Sequence, residues 1–231
     1  MKQHFLFILF VSIAFFSCTK EGTKYRDLLG NNEITYPGLT GNFKAIQGNL
    51  RIKLQWYPSP DPGIKKYVIY WNNGLDSVWL NSTSHNTTDS VSTIISGLNE
   101  DLLNFTLYTV GEKGERSIGQ TLSAVRIYGP LYTSSLVNRQ TDGSRAPEAV
   151  DDHTYKVFFA PVDTVLNINT AISYEDNQHQ HRTVNLSPKN NEALLEMATA
   201  GTKVAIHSTY VPVKNALDTF NVNYSDTLLL Q

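Results

Sequence analysis

"LQWYPSPDPGIKKYVIYW", residues 54–71, returns in outline as "VFFAPVDTVLNINTAISY", residues 157–174. Laid without a gap at an offset of 103 residues, Trp56 falls on Phe159, Pro58 on Pro161, Ile69 on Ile172 and Trp71 on Tyr174. Each copy reads as a strand ending in an aromatic, a proline-marked turn, and a second strand ending Ile-x-aromatic. The shared spacing predicts a duplicated unit.

Working outward from the first copy, "LRIKLQW" (50–56) sets Leu50, Ile52, Leu54 and Trp56 against Arg51, Lys53 and Gln55. That alternation predicts a half-buried antiparallel strand. "NNG" (72–74) reads as a hairpin turn returning into "DSVWL". "VSTIISGL", "NFTLYTV" and "SAVRIYG" supply further strands. Six or seven short strands with no amphipathic helix between them predict a β-sandwich. In the second copy "VAIHSTYV" (204–211) answers "FTLYTV". "NEALLEMATA" (191–200) has helical propensity, but its place in the repeat matches "VSTIISGL", so residues 192–197 are expected as a strand. The expected fold is all-β, two tandem immunoglobulin-like sandwiches at 33–129 and 148–231. In the linker at 130–147, Leu131, Tyr132, Leu136 and Val137 are expected to pack between the domains.

The N-terminus gives an address. Residues 5–16 are apolar apart from Ser12 and follow Lys2. As a helix they would cover about 18 Å, against the roughly 30 Å of a bilayer's hydrocarbon core. A short basic start and a short apolar run predict an export signal at 1–17. Cys18 follows at once, and it is the chain's single cysteine, so no internal disulfide framework is expected. "FFSC" resembles the bacterial lipobox, whose cysteine thiol is diacylated and becomes the new N-terminus. The alternative is an ordinary secretory signal followed by an incidental thiol. The lipobox reading expects lipidation at Cys18, a tether at 18–32, and a lipid-anchored position at the outer membrane of the cell envelope. A net charge of −2 without any Lys/Arg cluster argues against a nucleic-acid partner.

The aromatic-ended strand, the proline turn, "YVIYW" and the Gly-Leu before an alternating strand resemble fibronectin type III modules. Asn104 stands where those modules usually carry a tyrosine. "EITYPG" (33–38), "VIYWNNGLDS" (68–77), "YGPLYTSSLVNR" (128–139) and "TYVPVKNALDTF" (209–220), together with the lipobox, resemble a family of uncharacterised Bacteroidetes lipoproteins defined by a domain of unknown function. The resemblance implies an envelope lipoprotein of two fibronectin-like domains without an established activity. Related lipoproteins in that phylum often serve polysaccharide capture, which makes a surface binding or adhesion module the first functional expectation. A structural spacer or partner-docking subunit is the second, and a metal-dependent hydrolase a distant third.

Three groups of side chains are candidates for chemistry. In "YEDNQHQHRT" (174–183), Glu175, Asp176, His179 and His181 could hold a metal ion, but the segment falls on the hairpin position that is "WNNGLDS" in the first copy, so a polar, solvated hairpin tip is the leading expectation. Tyr70 and Trp79 could form an exposed stacking surface, since a sugar's apolar face packs on aromatic rings as other rings do; ordinary sheet-face aromatics are the bland reading. Ser77, Ser90, Thr164 and Thr227 each follow an aspartate and precede an apolar residue. That resembles an O-glycosylation acceptor motif of the same phylum, and it also describes a turn opening into a strand. There is no Gly-rich phosphate loop, nucleophile elbow or zinc-protease helix, so neither an enzyme nor a cofactor is expected.

Overall fold

The computed structural model describes residues 35–231; the export signal, Cys18 and the tether expected at 1–32 lie outside the described residues. The first sandwich contains β1 (Gly41–Gln47), β2 (Arg51–Tyr57), β3 (Ile64–Trp71), β4 (Asp76–Asn81), β5 (Val91–Ser96), β6 (Leu102–Gly111) and β7 (Gln120–Arg126). One sheet runs β1-β2-β5 and the other β4-β3-β6-β7. Alternation in β2 produces the core: Ile52, Leu54 and Trp56 are fully buried, and Tyr67, Ile69, Phe105 and Leu107 meet them from the opposite sheet. Leu50, read as the strand's first inward residue, instead has φ +51° and ends the turn before β2. Asn72, Asn73 and Gly74 all have positive φ, a region that asparagine and glycine enter at least cost. "NNG" therefore turns β3 into β4.

The second sandwich contains β8 (Glu148–Asp151), β9 (Thr154–Phe158), β10 (Asn167–Glu175), β11 (His181–Leu186), β12 (Glu192–Glu196), β13 (Lys203–Tyr210), β14 (Phe220–Asn221) and β15 (Asp226–Leu229). Its sheets run β8-β9-β12 and β11-β10-β13, with β14 and β15 both paired to β13. The strand order of the first sandwich is thus repeated. So is the register: Ile69 lies opposite Leu107, and Ile172 opposite Ile206. "EALLE" is a strand because Ala193 and Leu195 bury themselves against Val157 and Tyr155 of β9. Tertiary burial outweighs a helix propensity worth only tenths of a kcal/mol per residue. The strand stops one residue short of Met197, which has φ +58°.

The junction corrects the expectation for the linker. Leu131 and Val137 face solvent at 68% and 58% exposure. The polar Asn138 and Arg139 are buried instead. A short helix α1 (Pro130–Ser135) is held from the first sandwich by Glu100, whose carboxylate accepts the backbone N–H groups of Leu131 and Tyr132 at 2.6 and 2.8 Å. Tyr132 packs edge-on against Tyr128 and Phe220, each at 5.0 Å between ring centres. The loop at 211–219 then reaches back from the second sandwich to the first. Leu217 donates its N–H to Gln47 O at 2.7 Å, and Asp218 accepts from Asn49 N and from Arg51 Nε and Nη2 at 2.8, 2.9 and 2.5 Å. A Cβ on Gly48 would stand 2.4 Å from Asp218 Oδ2, so a side chain there would push the carboxylate from its place.

The hydrogen bond from Arg51 holds the Asp218 carboxyl below the usual aspartate range, against the opposing effect of its partial burial. A depressed folded value means a contribution that is fully present above the ordinary aspartate value and is lost as pH falls through the folded one. At neutral pH, Asp218→Ala should already loosen the junction. The expected result is a larger radius of gyration by small-angle X-ray scattering with unchanged far-UV circular dichroism. Superimposable scattering curves would show that the aromatic cluster, Glu100 and the Leu217–Gln47 hydrogen bond hold the joint without Asp218.

Candidate functional site

β3 alternates, so residues not facing the core face outward. Val68 pairs with Trp79 on β4 and Tyr108 on β6, and Tyr70 pairs with Ser77 and Thr106. Tyr70, Trp79 and Tyr108 therefore share the outer face of the four-stranded sheet. Trp79 is 48% exposed, and Tyr70 meets Tyr108 edge-on with ring centres 6.0 Å apart. Arg116, from the loop between β6 and β7, lays its guanidinium 5.6 Å from the Tyr70 ring and 5.7 Å from the Trp79 ring. These groups surround Val68, which is fully buried although it lies on the outer face. Two clefts meet at Arg116. Tyr70, Asn104, Thr106, Tyr108 and Thr121 line one, and Lys65, Lys66, Trp79 and Glu112 line the other.

The second sandwich supplies an internal comparison. Its register places Ala171, Ser173, Asn185 and His207 where the first has Val68, Tyr70, Trp79 and Tyr108. A sheet of the same order folds with small and polar residues on that face, so the fold itself does not require the aromatic set. Sequence reasoning singled out Tyr70 and Trp79, and the structure brings them together. It missed Tyr108, which the alternation of "FTLYTV" could have placed outward, and Arg116, for which no periodic signal exists.

The carboxylate–histidine hairpin is organised around Asp176. This residue is buried, and Oδ1 accepts the N–H groups of Gln178 and Gln180 at 2.8 and 2.9 Å while Oδ2 accepts Arg182 Nε at 2.6 Å. The bond from Arg182 is the main cause holding its carboxyl below the ordinary aspartate range. Three of its roughly four lone-pair sites are thus engaged in closing the hairpin. His179 is exposed, with φ +59°, and its Nδ1 lies 2.5 Å from Glu175 Oε1. His181 is exposed on β11 opposite Glu175. Among the described residues no group of three or more His, Cys, Asp or Glu side chains is placed to hold a metal ion.

Ser77, Ser90, Thr164 and Thr227 are all exposed. Ser77 and Thr227 lie within β4 and β15. Ser90 hydrogen-bonds Gln55. Thr164 sits in a turn that Asp163 closes by accepting Val165 N and Leu166 N at 2.7 and 3.0 Å. The aspartate of that motif has a turn-closing role of its own.

Residues 18–220 match the DUF4998 family, a domain of unknown function. No curated protein matches the sequence. Among solved structures, the chain aligns with a two-domain fibronectin type III segment of chicken tenascin at 11% identity and TM-score 0.33, over 82% of this chain and 98% of that one. It also aligns with the FN1–FN3 domains of chicken CNTN1 at 12% identity and TM-score 0.36, over 85% and 64% respectively. The architecture of two tandem β-sandwiches follows from strand order and register.

Proposed function

We propose, for a chain that belongs to the DUF4998 family and takes no activity from that membership, that it is a non-catalytic binding module of the cell envelope. It is anchored through lipid on Cys18, and its ligand is a glycan that packs on Tyr70 and Trp79. One observation carries the reading: the aromatic face occurs on the first sandwich only, although the second repeats its strand order and register. The exposed Trp79 ring and the half-buried Tyr70 and Tyr108 rings, the latter beside amide and hydroxyl groups such as Asn104, Thr106 and Thr121, suit a sugar, which offers an apolar face and a rim of hydroxyls. Lipidation at Cys18 and the outer-membrane position follow from the lipobox resemblance. Affinity electrophoresis of residues 24–231 through gels containing single polysaccharides tests the ligand. Retardation by at least one glycan is expected, reduced severalfold or more by Tyr70→Ala or Trp79→Ala. Free migration through the whole panel would sink the glycan reading.

The junction supports a second role. Glu100, Asp218 and the Tyr128–Tyr132–Phe220 cluster fasten two sandwiches that a loose linker would leave independent. A fixed joint suits a spacer that holds a binding face away from the membrane, or a subunit docked to another envelope protein.

A further inference from the structure

We propose that the glycan bound by this face is anionic, a polymer bearing carboxylate or sulfate groups, and the proposal rests on the glycan reading above. Arg116 is its centre. Among the described residues its side chain forms no salt bridge, since the ion pairs found involve Arg51, Arg145, Lys156, His179 and Arg182. Its position is fixed by the Tyr70 and Trp79 rings, at 5.6 and 5.7 Å, and by a backbone bridge between Arg116 and Val110. Ring contact of this kind orients a guanidinium without using its N–H groups. Its planar fork therefore remains open to a bidentate acceptor, the geometry that carboxylate and sulfate offer.

The surroundings add charge of the same sign. Lys65 and Lys66 line the cleft that Trp79 and Arg116 share, with Glu112 the acid among its lining residues. Lys65 Nζ donates to Pro62 O at 3.3 Å, a neutral partner that leaves its charge uncompensated. A chain of net charge −2 thus gathers three cations around its most exposed tryptophan. A neutral polysaccharide accepts hydrogen bonds from these cations but leaves their charge uncompensated. Repeated anionic groups spaced along a polymer would meet Arg116 and the lysines together while a ring stacks on Trp79.

The test uses the full chain in detergent micelles, electrophoresed through gels of polygalacturonate, dextran sulfate, neutral dextran, neutral xylan and polyglutamate. Polygalacturonate or dextran sulfate should retard it, and which of them does so separates carboxylate from sulfate. Arg116→Ala should weaken retention by about tenfold or more, in line with the loss of a charge-assisted hydrogen bond. Arg116→Lys should restore part of it, and added salt should reduce it. Retention by neutral glycans with Arg116→Ala unchanged would overturn the anionic assignment and leave the glycan reading standing. Retention by polyglutamate as strong as by polygalacturonate, or by both anions independently of Trp79→Ala, would overturn it in favour of an acidic protein partner or unspecific charge. Free migration through every gel would overturn both.

Discussion

Trp56→Ala should lower the stability of the first sandwich by about 3–5 kcal/mol, the range for removing a large buried aromatic. Trp56 is fully buried between Phe43 and Tyr67, with ring centres 6.4 and 5.2 Å away and both contacts edge-on. Those neighbours come from both sheets, so the cavity would open in the layer that joins them. Trp56→Phe should behave very differently. The indole Nε1–H is buried without a hydrogen-bond partner, and such a group costs about 1–3 kcal/mol. Phenylalanine removes that penalty and keeps most of the packing, and the second sandwich already carries Phe159 at the equivalent position, 2% exposed. The expected cost is under about 1.5 kcal/mol. The measurement is denaturant unfolding followed by tryptophan fluorescence. All three tryptophans lie in the first sandwich, and Trp71 and Trp79 report on it after Trp56 is gone. An alanine variant that loses less than about 1 kcal/mol would mean that the two sheets can close over the gap.

The fold was legible where burial imposes a period. Ile52, Leu54 and Trp56 announced a strand, and the offset of 103 residues turned one sandwich into two. The repeat even overruled the helical composition of "NEALLE", because a strand opposite β9 buries Ala193 and Leu195. The junction was not legible, for a physical reason. Leu131 and Val137 suggest an interface because they are apolar, yet single exposed apolar side chains are ordinary on protein surfaces. Asn138 and Arg139 are polar, yet they are buried: Arg139 donates to acceptors scattered from Ala160 to Asn191, and Asn138 bonds Ser208 N–H and Tyr224 O. No local pattern encodes such a network. Three of the signatures behind the family resemblance prove to be structural. "YPG" is pinned where Asp61 accepts Gly38 N. "YGPLYTSSLVNR" and "TYVPVKNALDTF" supply the aromatic cluster and Asp218. Such motifs identify a chain by its joints, which is why they named a family without naming a ligand. The aromatic face was legible in half: strand alternation turns Tyr70 outward, but Arg116 reaches it from a loop whose sequence carries no period.

Arg139→Ala should cost the second sandwich about 3–5 kcal/mol, since three acceptors lose their donor and a cavity opens beside Phe159. Arg139 is 3% exposed. Its guanidinium donates to Ala160 O at 2.8 Å, Asn191 Oδ1 at 2.6 Å and Ser187 O at 3.4 Å, and it lies 5.7 Å from the centre of the Phe159 ring. Its backbone N–H donates to Ser208 Oγ, and the neighbouring Asn138 accepts Ser208 N. The linker's end is thereby tied to β13 and to the turns that flank β9 and β12. Burial holds the guanidinium below its ordinary pKa, because neutral carbonyls and a ring face compensate a charge less fully than a carboxylate would. Alanine leaves three acceptors unmade and a cavity beside Phe159. Methionine refills the volume and removes the cost of burying a charge, so the difference between Arg139→Ala and Arg139→Met measures packing, and that between Arg139→Met and the native chain measures the polar network. Far-UV circular dichroism sees both sandwiches, whereas tryptophan fluorescence sees the first. The dichroism transition should therefore move to lower denaturant ahead of the fluorescence transition. If both move by the same amount, the joint at Asp218 and Tyr132 couples the sandwiches into one cooperative unit. If neither moves, the carbonyls find water in place of Arg139, and the residue's burial has no part in holding the second sandwich together.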